Sequence, residues 1–134
     1  MPRLAVHRDA AEDLQAIKVR GDLADHGLIL AFLRQAQSDV AVLETLSEDW
    51  FGEDGMADYS VRRIVVPHRQ GRRLWRVKIL NVKGLAAAYR VIYAFNRKQD
   101  EIFVLAIPPR DIAYDQSHPR IQRLLALYDS LGIS

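Results

Sequence analysis

The spacing of apolar residues changes once along this chain, and the change dictates the order in which helices and strands follow one another. Leu28, Ile29, Phe32, Leu33, Ala36, Val40, Leu43 and Leu46 recur at the three- and four-residue intervals that line one face of an α-helix. From Tyr59 onward apolar and polar positions alternate instead, which is the period of a strand with one face on a core. Helices gathered at the front and short strands behind them predict an α+β fold.

The remaining elements are read around that change. Residues 3–7 are a short strand candidate, and Asp9, three residues before Glu12, predicts a helix N-cap with its reciprocal partner. Leu14 and Ile17 give that helix an apolar face, and Gly21 marks its weak point. A second helix is predicted from residues 25–27, so the two form a hairpin. Residues 47–60 are irregular and carry a Trp50-Phe51 pair expected to be buried. Strands are predicted over 61–66, 74–80, 89–96 and 101–107, with a turn at 67–73. Pro108-Pro109 ends the sheet, because proline cannot donate to the ladder. Ser117 or His118 starts a final helix with Pro119 in its first turn and Ile121, Leu124, Leu125, Tyr128 and Leu131 on one stripe. The expected order is β-α-α-(β)-β-β-β-α, in one domain spanning 1–134.

Composition narrows the chemistry. The chain has 134 residues, about half of them apolar, enough for one packed core. It has no cysteine, which removes disulfides, zinc-thiolate sites, iron–sulfur clusters and thiol nucleophiles and fits a reducing cytoplasm. The N-terminus turns charged before any stretch suited to a signal peptide, and the longest apolar run, 27–33, is far short of a membrane span. The expectation is a soluble cytoplasmic protein with no membrane partner. His7, His26, His68 and His118 lack metal-ligand spacing, and the glycines form no phosphate-binding pattern, so neither a metal nor another cofactor is expected.

Charge is segregated. Between Tyr59 and Gln99 stand eleven basic residues and no acidic one: Arg62, Arg63, Arg69, Arg72, Arg73, Arg76, Lys78, Lys83, Arg90, Arg97 and Lys98. Residues 1–58 hold five basic against twelve acidic residues and residues 100–134 three against five, so the net charge is only +2. A positive field confined to one third of a small domain points to a polyanion such as nucleic acid. The other reading, a solvated surface neutralised by the acidic part, stays open. Glu44, Glu48, Asp49, Glu53, Asp54 and Asp58 either solvate a loop or shield the basic sheet from within.

Strand alternation sorts the basic residues further. Trp75, Val77 and Ile79 share one face with Tyr89, Val91, Tyr93 and Phe95, the expected core side under the helix pair. Arg76, Lys78 and Arg90 are then placed together on an exposed face, with Arg110 at its rim and Tyr114 four residues beyond. Such a group suits metal-free cleavage of RNA. A base removes the 2′-hydroxyl proton, an acid protonates the leaving 5′-oxygen, and cations hold the charge on phosphorus. Lysine or tyrosine crowded by arginines can exchange the protons, while arginine clamps the phosphate. An ordinary solvated strand face is the alternative.

The runs Leu74-Trp75-Arg76-Val77-Lys78, Tyr89-Arg90-Val91-Ile92-Tyr93 and the apolar strand leading through Pro108-Pro109-Arg110 to Tyr114 resemble the RelE/ParE superfamily of toxins from bacterial toxin–antitoxin pairs. The resemblance covers most of residues 3–115, with 47–73 as an insertion. It implies a twisted antiparallel sheet with an N-terminal helix hairpin on one face, followed here by a C-terminal helix. In the RNA-cleaving branch it implies a ribosome-dependent mRNA endonuclease, a growth-inhibiting hydrolase neutralised by a cognate antitoxin protein. Carried over by motif, Arg90 stabilises the phosphate, Arg110 assists, and Tyr114 stacks on a base or transfers a proton. Lys78 completes the catalytic set, and Arg62, Arg63, Arg69, Arg72, Arg73, Arg76 and Lys83 are the expected nucleic-acid contacts. The other branch inhibits DNA gyrase without that nuclease set, and a non-catalytic module of the same fold is the third reading.

Overall fold

The computed structural model describes residues 2–133. The chain opens with β1 (Arg3–Val6) and passes through three helices, α1 (Arg8–Val19), α2 (Leu23–Ser38) and α3 (Val40–Thr45). It then runs through β2 (Tyr59–Arg63), α4 (Val65–Arg69), β3 (Trp75–Ile79), β4 (Val91–Asn96) and β5 (Glu101–Ala106), and ends in α5 (Pro119–Leu131). The fold is therefore α+β. The five strands form one sheet in the order β1-β5-β4-β3-β2. β2 to β5 are antiparallel neighbours, but β1 pairs with β5 in parallel, so the sheet is mixed rather than wholly antiparallel. Parallel neighbours need a long crossover, and everything from α1 to β4 supplies it.

Local chemistry moves several boundaries. His7, not Asp9, caps α1: its Nδ1 accepts from the Asp9 backbone N–H at 3.0 Å. Asp9 instead sits in the first turn and turns its carboxylate to Arg123 of α5, 3.2 Å away. The expected long second helix breaks at Asp39, whose backbone is extended and whose carboxylate accepts from the Ala41 N–H at 3.0 Å. The apolar stripe survives the break, since Val42, Leu43 and Leu46 are all buried. Residues 67–73 are not a plain turn. They include the end of α4, where Pro67 falls in the first helical turn and forfeits no helical bond.

Both faces of the sheet are covered. On one, Val77, Ile79, Tyr89, Val91 and Tyr93 pack against Ile17, Ile29, Phe32 and Leu33 of the helices, as the alternation requires. Tyr93 is fully buried and its hydroxyl donates to the Leu46 carbonyl at 2.7 Å. On the other, Leu74, Ile92, Ala94 and Leu105 meet Ile121, Leu124, Leu125 and Tyr128 of α5. This corrects the expectation of an open second face, because α5 roofs most of it. Each such large apolar side chain contributes about 1.5–3 kcal/mol on burial. His118 caps α5 through Nδ1 to the Arg120 N–H at 3.1 Å, and Gly132, at φ 64°, ends it. Among the described residues no helix is long and apolar enough to cross a membrane.

Candidate nucleic-acid interface

Where α5 stops covering the sheet, two segments are stitched together by their main chains. Arg90 N–H donates to Pro108 O at 3.0 Å and Arg110 N–H to Ala88 O at 2.8 Å. Ala113 N–H returns to Pro109 O at 3.0 Å, which tightens the turn between Arg110 and Tyr114. From the helix side, the Tyr89 hydroxyl donates to Asp22, and Asp25 accepts from the Ala88 N–H at 3.1 Å. Two acidic residues, Asp22 just ahead of α2 and Asp25 in its first turn, thus fix the strand entry that carries Arg90. The result sets Arg110 and Tyr114 beside Arg90, with Arg76 arriving from β3.

Arg90 is 7 % exposed. Its Nη1 donates to the carbonyls of Ala87 (2.9 Å) and Tyr89 (3.2 Å), while its Nε is buried without a hydrogen-bond partner. Among the described residues no carboxylate pairs with it. Burial pushes its pKa down, the Tyr114 phenol pushes it back, and the charges of Arg76 and Arg110 push it down again. Arginine keeps its proton regardless. The site therefore holds a buried positive charge with no counterion, which is costly unless an anion is bound.

Arg76 is as deeply placed, at 8 % exposure, and fully engaged. Its Nη1 donates to Ser60 O and Oγ, both at 3.2 Å, and its Nη2 to Glu53 Oε1 at 3.0 Å. Arg62 lies directly opposite Arg76 in the β2–β3 register, a like-charge pair that needs neutralising. Asp49 stands 3.5 Å from Arg62, and the Trp50 ring lies 3.3 Å under its guanidinium. Trp50, expected to be buried, is 60 % exposed. The loop bearing these groups is fixed to the edge of β2, with Trp50 N–H on Val61 O and Val61 N–H on Phe51 O, each 2.9 Å. Gly52 is required there, since a Cβ would stand 2.0 Å from Tyr59 O. Asp49 and Glu53 thus shield the basic sheet from within. Glu44, Glu48, Asp54 and Asp58 make no ion pair among the described residues.

The other expected contacts do not join one surface. Arg63 points to the helix face, where Asp49 accepts from its backbone N–H (3.0 Å) and its Nε (3.1 Å). Arg72 makes a bidentate pair with Asp129 of α5, at 3.0 and 2.9 Å. Arg73 lines a separate cavity at the far end of β3. Arg69 and Lys83 are exposed, on α4 and on the turn after Leu80 respectively. Lys78 is half-buried on the same face as Arg76. Of the predicted set the structure gathers Arg76, Arg90, Arg110 and Tyr114, the last 48 % exposed. Sequence reasoning left out Ser60, and only the acidic stretch ahead of β2 hinted at Glu53. Two cations, Arg90 and Arg110, and a phenol at the mouth of a partly roofed sheet, with the Arg76 charge behind them, can hold a phosphodiester and spread its charge. The chain matches no family model, no curated protein and no solved structure.

Proposed function

We propose that this chain is a RelE-like toxin: a metal-independent endoribonuclease that cuts mRNA on the ribosome and is restrained by a cognate antitoxin. One observation carries the reading, the buried charge of Arg90 without a counterion beside Arg76, Arg110 and Tyr114. A phosphodiester is an anion of the size and charge such a cluster accepts. In the reaction the 2′-oxygen attacks phosphorus as its proton leaves to a base. The P–O5′ bond breaks as a proton reaches O5′, leaving a 2′,3′-cyclic phosphate and a 5′-hydroxyl. Arg90 and Arg110 hold the charge gathering on the phosphoryl oxygens, and Tyr114 beside them exchanges protons, with Lys78, half-buried on the Arg76 face, as the other member of the expected set able to do so. The acidic or amphipathic helix of an antitoxin would lie over the same cations.

The engagement of Arg76 by Glu53 and Ser60 favours a second reading, since it leaves fewer open cations for chemistry. In that reading the same fold poisons DNA gyrase by protein contact, or holds an acidic antitoxin segment, without cleaving RNA. Induction in growing bacteria with mapping of new 5′ ends separates the two. Codon-phased cuts that vanish in Arg90→Ala, a variant checked for unchanged melting, are the expected result. Losing an oxyanion-type contact of this kind costs about 10²-fold or more in rate. Growth arrest with intact messages and inhibited supercoiling would move the assignment to gyrase.

A further inference from the structure

At the end of β3 and β4 remote from Arg90, a cavity of about 570 Å³ opens between α3, the β4–β5 turn and the last turn of α5. That volume suits a small organic ligand. One wall is aromatic and already rigid. Trp75 meets Phe95 edge to face at 5.8 Å and meets His68 in the same way at 5.8 Å. His68 is itself held by its Nε2 on the Leu74 carbonyl at 3.0 Å. Trp75 and Phe95 are only half-buried, so flat apolar surface faces the empty space.

Charge on the rim is unevenly used. Arg63 is bound by Asp49 and Glu101 by Arg3, each at close range. Arg73 and Arg97 also line the cavity, and both are exposed and without an ion pair among the described residues. Glu44, on α3, is in the same condition. A flat aromatic wall takes a flat ring, two free guanidinium groups take an anion, and a free carboxylate accepts from an amine. We propose that this cavity binds one nucleotide, its base against Trp75, its phosphate on Arg73 and Arg97, and an exocyclic amine of the base on Glu44. Adenine, cytosine and guanine carry such an amine and uracil does not. The nucleotide is either free or an unpaired residue of a single strand. Six residues of chain, about 20 Å, separate Arg90 from Asn96 at the cavity, a span a short oligonucleotide can bridge. The proposal goes beyond cleavage at Arg90 and does not depend on it.

The chain has two tryptophans, Trp50 and Trp75, so Trp50→Phe leaves the fluorescence of Trp75 as a direct reporter. Calorimetry on the unaltered chain gives the same affinities should that variant fold poorly. Titration with AMP, UMP, ribose 5-phosphate and a six-residue oligoadenylate is the experiment. Saturable quenching by AMP is expected, several-fold weaker binding of UMP, and at least tenfold weaker binding of ribose 5-phosphate. Arg73→Ala with Arg97→Ala, both at exposed positions, lowers AMP affinity at least tenfold at unchanged melting temperature. An oligonucleotide at least tenfold tighter than AMP identifies the ligand as a base in a strand, and parity identifies a free nucleotide. Absence of saturable binding by AMP and oligonucleotide alike would overturn the proposal. Parity of ribose 5-phosphate with AMP, or indifference to the double substitution, would do so as well.

Discussion

Arg76 and Arg90 stand on or beside neighbouring strands at nearly the same depth, 8 % and 7 % exposed, and their surroundings could hardly differ more. Around Arg76 the molecule supplies a carboxylate, a hydroxyl and a carbonyl. Around Arg90 it supplies two carbonyls, a phenol and two further cations. The first region answers its charges with carboxylates, although the Arg62 Nε is left without a hydrogen bond; the second has no carboxylate among the described residues. A basic stretch in a sequence thus says nothing about which of its charges are available. Availability is decided by where the acidic residues land, and here Asp49 and Glu53 land on the β2–β3 side.

Stability should break the symmetry of the two arginines most visibly. Arg76→Met strands Glu53 and Ser60 beside an apolar group. Breaking a buried ion pair costs about 3–5 kcal/mol, and the partial exposure of Glu53 reduces this to about 2 kcal/mol. Arg90→Met removes a charge that has no counterion, while leaving two carbonyls without a donor. These oppose each other, so its stability should stay within about 1 kcal/mol of the parent. Thermal melting of both variants checks this, with a fall of roughly 5–10 °C expected for Arg76→Met. Equal losses would mean that Arg90 is as well satisfied as Arg76, and the contrast would collapse.

Glu53→Gln sharpens the same contrast from the other side. It keeps the shape of the loop while removing the carboxylate charge that answers Arg76, which becomes freer to meet a phosphate. Affinity for single-stranded RNA should rise about two- to fivefold, within the range of a partly exposed ion pair. The salt dependence of binding should steepen by roughly one phosphate contact. Filter binding at several salt concentrations measures both. Unchanged affinity and slope would place Arg76 outside the anion's path.

Much of the scaffold was legible from residue spacing. The face shared by Val77, Ile79, Val91 and Tyr93, and the stripe from Ile121 to Tyr128, follow from period alone. What spacing could not reveal was the second use of the sheet. Ile92 and Ala94 alternate with core residues just as solvent-facing positions do, and only the return of α5 makes them interior. Asp39 was hidden for a similar reason, because a single capping carboxylate interrupts a helix without disturbing its apolar stripe. Arg90, Arg110 and Tyr114 are close along the chain, and the structure sets them side by side. Arg63 and Arg72 lie apart from them, held by Asp49 and Asp129, which are remote in sequence, while Arg73 lies at the other end of β3 with only its backbone N–H engaged, by Tyr128.

The smallest effect belongs to acid, and it probes the neutralised region alone. Burial raises the pKa of Asp49, but hydrogen bonds from the Arg63 backbone and guanidinium, with the charges of Arg63 and Arg62, outweigh it and hold the pKa below the ordinary 3.8. A carboxylate lowered on folding contributes stability that is fully present above its unfolded pKa. That contribution is lost as pH falls through the folded value, here below about pH 4. Asp49→Asn should therefore melt lower than the parent at neutral pH, and the gap should close as the pH drops below 4. Arg90→Met should show no such closing gap, because no carboxylate answers Arg90 in the folded chain. Melting curves from pH 7 to 3 on both variants decide it. A gap that persists in acid for Asp49→Asn would mean that Asp49 acts through the Arg63 backbone hydrogen bond and loop geometry, and that the two arginines beside it need no neutralising charge.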